Sequence, residues 1–282
     1  MLVIWAITLL SVVVLTWSEI VGWNLERFND SGDRSQARMA AISGIALALD
    51  PQLDDSSSLF RDHEIEPGLT TNVVIESEGA RINLNYMAAK ALQDEGARNQ
   101  FARFLEVIFN VEPRDQDALI DAILDWVDAD DVKRLNGIES EDGYEAGNRF
   151  FYTVDELEKV HGAELITTQP NWQDRFTLWS HGRIDVNWAA PEILAALPGL
   201  DEFIAEEIVL RVAGPDGILR TEDDEPFESL EEIQQLAGLS DGAFNVLSPW
   251  ISTSDRSSRI VATGSANGFE HTVSVVMNGR QR

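Results

Sequence analysis

The side chains best equipped for chemistry in this sequence are carboxylates. The stretch DWVDADDVKRLNGIESEDGYE, from Asp125 to Glu145, carries eight of them, opposed only by Lys133 and Arg134. Like charges this close repel unless a cation bridges them. Asp128 and Asp130, then Asn136-Gly137, then Glu139, Glu141 and Asp142 offer oxygen ligands on a loop that follows a helical pattern. Calcium suits such a set, because it takes six to eight oxygens with loose geometry. The spacing is not that of an EF-hand. A solvated acidic loop is the alternative. A second acidic run, Gly214 to Glu225, places Asp216, Asp223 and Asp224 around a turn and is a weaker calcium candidate. There the alternative is a turn with an acidic rim ahead of Pro226.

Catalytic patterns are missing from the sequence. There is no G-x-S-x-G, no P-loop and no H-E-x-x-H, and the four histidines are scattered. Without cysteine there are no disulfides, thiolate nucleophiles or Cys-based zinc sites. These features predict a structural protein and not an enzyme. The formal net charge of -28 repels phosphate backbones and argues against nucleic acid as a partner. One motif points the other way. Val186 to Leu200 reads as a helix, Leu-Pro-Gly-Leu and a second helix, like the helix-hairpin-helix of DNA-binding modules. Here the second helix carries Asp201, Glu202, Glu206 and Glu207, so the motif reads better as a packing element. A membrane-anchored DNA-binding or DNA-uptake protein is the alternative function.

These residues need a scaffold. Met1 to Ser18 is apolar without a charge, and Trp5 and Trp17 sit near its ends, as in a membrane-spanning helix. An amphipathic stem follows to Leu49, with Ile20, Trp23, Phe28, Met39, Ile42 and Ile45 as a partner-binding stripe. Asn72 to Asn85 alternates and predicts two short strands around Ser-Glu-Gly. Helical spacing recurs over 97–111, 114–127, 153–160, 190–197, 201–213, 228–237 and 240–248. Arg259 to Ala266 and Glu270 to Asn278 alternate around Asn267-Gly268, a hairpin signal. The resulting organisation is a transmembrane helix (1–18), a stem with first strands (19–85), an inserted helical domain (86–250) and C-terminal strands (251–282).

Two weak repeats run through the helical zone. Arg81 to Leu92 resembles Arg183 to Leu194, and Phe151 to Leu157 resembles Phe227 to Ile233. Reuse of common helix starts explains such pairs as readily as duplication does.

In order along the chain, several segments together resemble the K-type minor pseudopilin family of type II secretion systems. They are Ile4 to Ser11, Gly79 to Asn85, Asp121 to Asp131, Asn136 to Glu139, Phe151 to Leu157 and Val186 to Leu200. The resemblance implies an α+β pseudopilin fold, with a long N-terminal helix, a small antiparallel sheet and a large inserted α-helical domain. It also implies a calcium-bound subunit at the pseudopilus tip, in complex with I-type and J-type minor pseudopilins. That subunit would be anchored in the inner membrane with its bulk in the periplasm. By motif position Asp128, Asp130, Glu139, Glu141 and Asp142 carry over as calcium ligands.

Overall fold

The computed structural model describes residues 31–53, 57–141, 143–221 and 223–279. The apolar segment 1–18, the partner residues Ile20, Trp23 and Phe28, and the candidate ligand Asp142 lie outside the described residues. Among the described residues no helix is long and apolar enough to cross a membrane. The chain divides into two compact units. One is built from residues up to Ile75 with Ile260–Val275, the other from Glu76–Arg259 with the chain from Val276 onward.

In the first unit, residues 31–48 are helical (α1). Strands β1 (His63–Glu66), β2 (Leu69–Ser77), β7 (Ser257–Ala266) and β8 (Phe269–Asn278) form a sheet in the order β1-β2-β7-β8. The apposed face of α1 is made mostly of small residues, with Ala37, Ala40, Ala41 and Ala48 buried alongside Ile45. A Cβ on Gly264 would overlap the Ala37 carbonyl and the Ala41 amide, so a side chain there would push the helix off the sheet. The predicted hairpin is present. Asn267 and Gly268 both take left-handed backbone, φ 48° and 85°, as a two-residue type I′ turn requires.

The second unit repeats one arrangement twice. In the first half, β3 (Ile82–Asn83) leads into α2 (Leu84–Ala91), α3 (Glu95–Phe109) and α4 (Pro113–Val127). After an acidic loop come Phe151, short helical turns including α5 (Glu164–Thr167), and β4 (Phe176–Thr177), which pairs in parallel with β3. In the second half, β5 (Ile184–Asp185) leads into α6 (Pro191–Ala195) and α7 (Glu202–Val212). After a second acidic loop come Phe227, α8 (Leu230–Leu236), α9 (Asp241–Leu247) and β6 (Ile251–Ser252), which pairs in parallel with β5. Each half is closed by the same clasp. The Asn85 amide side chain accepts from Phe151 N at 2.9 Å and donates to its carbonyl at 3.0 Å. Asn187 does the same to Phe227, at 2.8 and 3.0 Å. The two weak sequence repeats are therefore two ends of one repeated contact.

Local rules explain the longest helices. Asp94 caps α3 by accepting from Gly96 N and Ala97 N, and Asn110 ends it in left-handed backbone at φ 53°. Pro113 opens α4, where its missing N–H costs nothing. The segment Asn72 to Asn85 departs from the predicted strand pair. β2 ends at Ser77, Glu78–Ala80 forms a 3-10 turn, and β3 pairs with β4 instead. The cause is the wholly buried Glu78 carboxylate. It accepts from Arg259 Nε at 2.5 Å and from the Thr177 hydroxyl, which pins the turn inward.

The helix-hairpin-helix segment also turns inward. Gln100 Nε2 donates to the Ala196 carbonyl at 2.8 Å. The Arg103 guanidinium donates to the carbonyls of Ala195, Ala196 and Leu200 at 3.0 to 3.2 Å. The orphan carbonyls at the end of α6 are thus satisfied by α3.

Candidate metal centre

The acidic loop after α4 is organised around two carboxylates on the helix itself. Asp121 and Asp125 stand one turn apart on a face that otherwise buries Ile120, Leu124 and Val127. Asp121 accepts from Arg98 Nη1 at 2.7 Å and from the backbone and side-chain nitrogens of Asn136 at 3.1 and 3.2 Å. Asp125, with no exposed surface, accepts from the Arg134 backbone N–H at 3.3 Å and its Nη1 at 2.6 Å. The same guanidinium reaches Asp128 Oδ2. A Cβ at position 137 would overlap Asp125 Oδ2, so the loop closes over the helix only because Gly137 lacks one.

Among the described residues, three carboxylate oxygens remain unmatched. Asp128 Oδ1, Glu139 Oε1 and Glu139 Oε2 are buried and have no hydrogen-bond donor. Burial, then Asp125, then Asp128, Asp131 and Asp130, push the Glu139 carboxyl above its usual range. Unsatisfied buried acceptors among like charges form a donor set that a divalent cation matches. The other predicted ligands are less committed. Asp130 accepts from Val132 N at 2.9 Å, and the exposed Glu141 pairs with Lys133 at 3.1 Å. Among the described residues no three acidic or histidine side chains are already gathered tightly enough to hold an ion. In this arrangement Arg134 is the cation between Asp125 and Asp128. Sequence reasoning gave Asp121 no part in the site, and counted Asp125 and Arg134 in the acidic run without assigning them this organising role. The available signal was an acid pair at i, i+4 inside the apolar stripe of α4.

The second acidic loop is satisfied by its own backbone. Asp216 accepts from Ile218 N at 2.7 Å, and Asp223 from Asp216 N at 3.1 Å and Thr221 Oγ1 at 2.7 Å. Asp224 accepts from Arg220 N at 2.8 Å and Thr221 N at 3.2 Å. The hydrogen bond from Thr221 leads the causes that hold the Asp223 carboxyl below its usual range. Of the predicted partner-binding stripe, Met39 and Ile42 are exposed while Ile45 is buried within its own unit.

Residues 80–168 match the family model of type II secretion system (T2SS) protein K. No curated protein matches the chain. In fold, the chain resembles a chain in the crystal structure of the GspK-GspI-GspJ complex from the enterotoxigenic Escherichia coli type 2 secretion system. The TM-score is 0.60 at 17% identity, over 94% of each chain. The comparisons thus give a protein K family match over residues 80–168 and, for nearly the whole chain, a fold like that of one chain of this three-protein complex.

Proposed function

We propose that the chain is a minor pseudopilin of the K type, a structural subunit of the type II secretion pseudopilus. The carrying observation is the agreement between the protein K match at 80–168 and a fold shared over 94% of the chain with a member of a three-subunit secretion complex. In this reading its role is assembly and not catalysis. It joins I-type and J-type minor pseudopilins at the tip of the pseudopilus, with its bulk in the periplasm. The apolar segment 1–18 anchors it in the inner membrane, and the exposed Met39 and Ile42 of α1 meet partner helices. The test is to mix the full-length chain in detergent with purified I-type and J-type subunits and weigh the eluted species by light scattering. A 1:1:1 complex is expected. A chain that stays apart while well folded overturns the assignment.

Calcium belongs to the same proposal. Asp128 and Glu139 would hold it from the buried side, with Asp130, Glu141 and Asp142 completing the set. Bound there, its two charges would offset the repulsion among these carboxylates and fix the loop on α4. The donor-less oxygens of Asp128 and Glu139 support this reading. The weaker set of Asp216, Asp223 and Asp224 would take a second ion only by giving up hydrogen bonds it already has.

A further inference from the structure

A β-sheet presents unpaired N–H and C=O groups along each edge, and soluble proteins usually blunt both edges. Here only one edge is blunted. β1 is four residues long, carries Glu64 and Glu66, and shifts register between them. Short length, charge and irregularity are three standard protections against strand addition. The opposite edge, β8, has none of them. It runs for ten residues with neither proline nor lysine, and among the described residues no strand pairs with its outer side. It also carries no ladder of charges, since Glu270 is its single acid and His271 its single basic side chain.

The hairpin fixes which groups point outward. Across a two-residue type I′ turn the flanking residues, Ala266 and Phe269, form a hydrogen-bonded pair. Pairing then alternates along the strands. Glu270, Thr272 and Ser274 therefore direct their N–H groups away from β7. The contact between the Thr263 and Thr272 hydroxyl oxygens at 2.9 Å agrees with this register, with the two residues opposite one another. Along the same stretch, His271, Val273 and Val275 share one face of the sheet, and Glu270, Thr272 and Ser274 share the other.

We infer that the outer edge of β8, over Phe269–Val275, is a strand-addition site for another subunit of the proposed assembly. The inference rests on that assembly reading. The occupant is an extended segment of a different polypeptide. It sets apolar side chains beside Val273 and Val275, and polar or basic ones beside Glu270, Thr272 and Ser274. Charge selects a different polypeptide over a second copy, since a second copy would bring two chains of net charge -28 together.

The test uses the full-length chain in detergent with purified I-type and J-type subunits, comparing Ser274→Pro with Ser274→Ala. Proline at an edge position whose N–H faces outward removes a donor for the incoming strand and leaves the β7–β8 ladder intact. Circular dichroism confirms that both variants fold. Ser274→Pro is expected to weaken the complex about tenfold or more and Ser274→Ala less than about twofold, the proline losing main-chain bonds that give strand addition its affinity. In the unmodified complex, hydrogen exchange across Phe269–Val275 should slow. A complex that forms with exchange there unchanged overturns this inference and leaves the subunit assignment standing. No complex at all overturns both. A free chain that dimerises, and that Ser274→Pro returns to monomer, overturns the choice of occupant.

Discussion

The two acidic loops of the helical unit occupy the same place in its two halves, each just ahead of a phenylalanine held by an asparagine clasp. They solve the problem of crowded charge differently. The loop after α7 spends its carboxylates on nearby backbone N–H groups, in Asx-type turns. The loop after α4 packs over its helix, which leaves Arg134 to neutralise Asp125 and Asp128 and leaves Glu139 buried without a donor. Charge density alone therefore does not mark a cation site. Burial that strips a carboxylate of its donors is what makes the loop after α4 the better candidate.

The contrast can be broken by substitution, and the largest effect falls at Asp125. Asp125→Ala should destabilise the protein by about 3 kcal/mol in chemical denaturation, because it strands Arg134 beside a cavity. A cost near that of a surface carboxylate would mean that Arg134 is not part of the loop's support. Gly137→Ala, which forces a Cβ against Asp125, should cost about 2 kcal/mol.

Another buried carboxylate, outside both loops, calibrates them. Asp185 accepts from the Ser77 hydroxyl at 2.7 Å, yet burial lifts its pKa to about 6. Its unfolded value is near 4, so its neutral form stabilises the fold at pH 4 and that contribution is lost as pH rises through 6. Between pH 4 and pH 8, Asp185→Asn should therefore gain about 2 kcal/mol relative to the unmodified protein. A flat difference would show that hydrogen bonds offset burial there.

Calcium should raise the melting temperature by several degrees, by ordinary ligand linkage. Glu139→Gln should remove that gain and raise the metal-free melt at neutral pH, where the buried charge is unfavourable. At pH 4, where the raised Glu139 carboxyl is protonated, the metal-free difference should shrink toward zero. Asp223→Asn is the smallest change, altering one half-buried carboxylate whose hydrogen bonds are local to its loop, and should leave the first calcium response intact. A response lost in Asp223→Asn and kept in Glu139→Gln would reverse the roles of the two loops.

Periodicity made the longer helices legible, since 97–111 and 114–127 overlap α3 and α4 almost completely. Asn267-Gly268 likewise announced its hairpin. The two-residue parallel pairs β3–β4 and β5–β6 were not legible, because two residues leave no periodic pattern and their partners lie far away in sequence. Of the candidate site, the acids of the loop were visible as a cluster, but their organiser was not. Asp121 and Asp125 sit within an apolar stripe and read as ordinary helix acids until Arg98, Arg134 and Asn136 are seen to converge on them. The repeats were visible as fragments. Their meaning required seeing Asn85 reach Phe151, and Asn187 reach Phe227, across 66 and 40 positions.

Arg103 donates to carbonyls 92, 93 and 97 positions further along the chain. Closing so long a loop is entropically costly and slow compared with forming a helix. The hairpin between α6 and α7 therefore cannot complete its hydrogen bonding as a local event during synthesis. It must wait for α3 to be in place, so a fragment starting after Val111 would carry the hairpin sequence without the side chain that closes it.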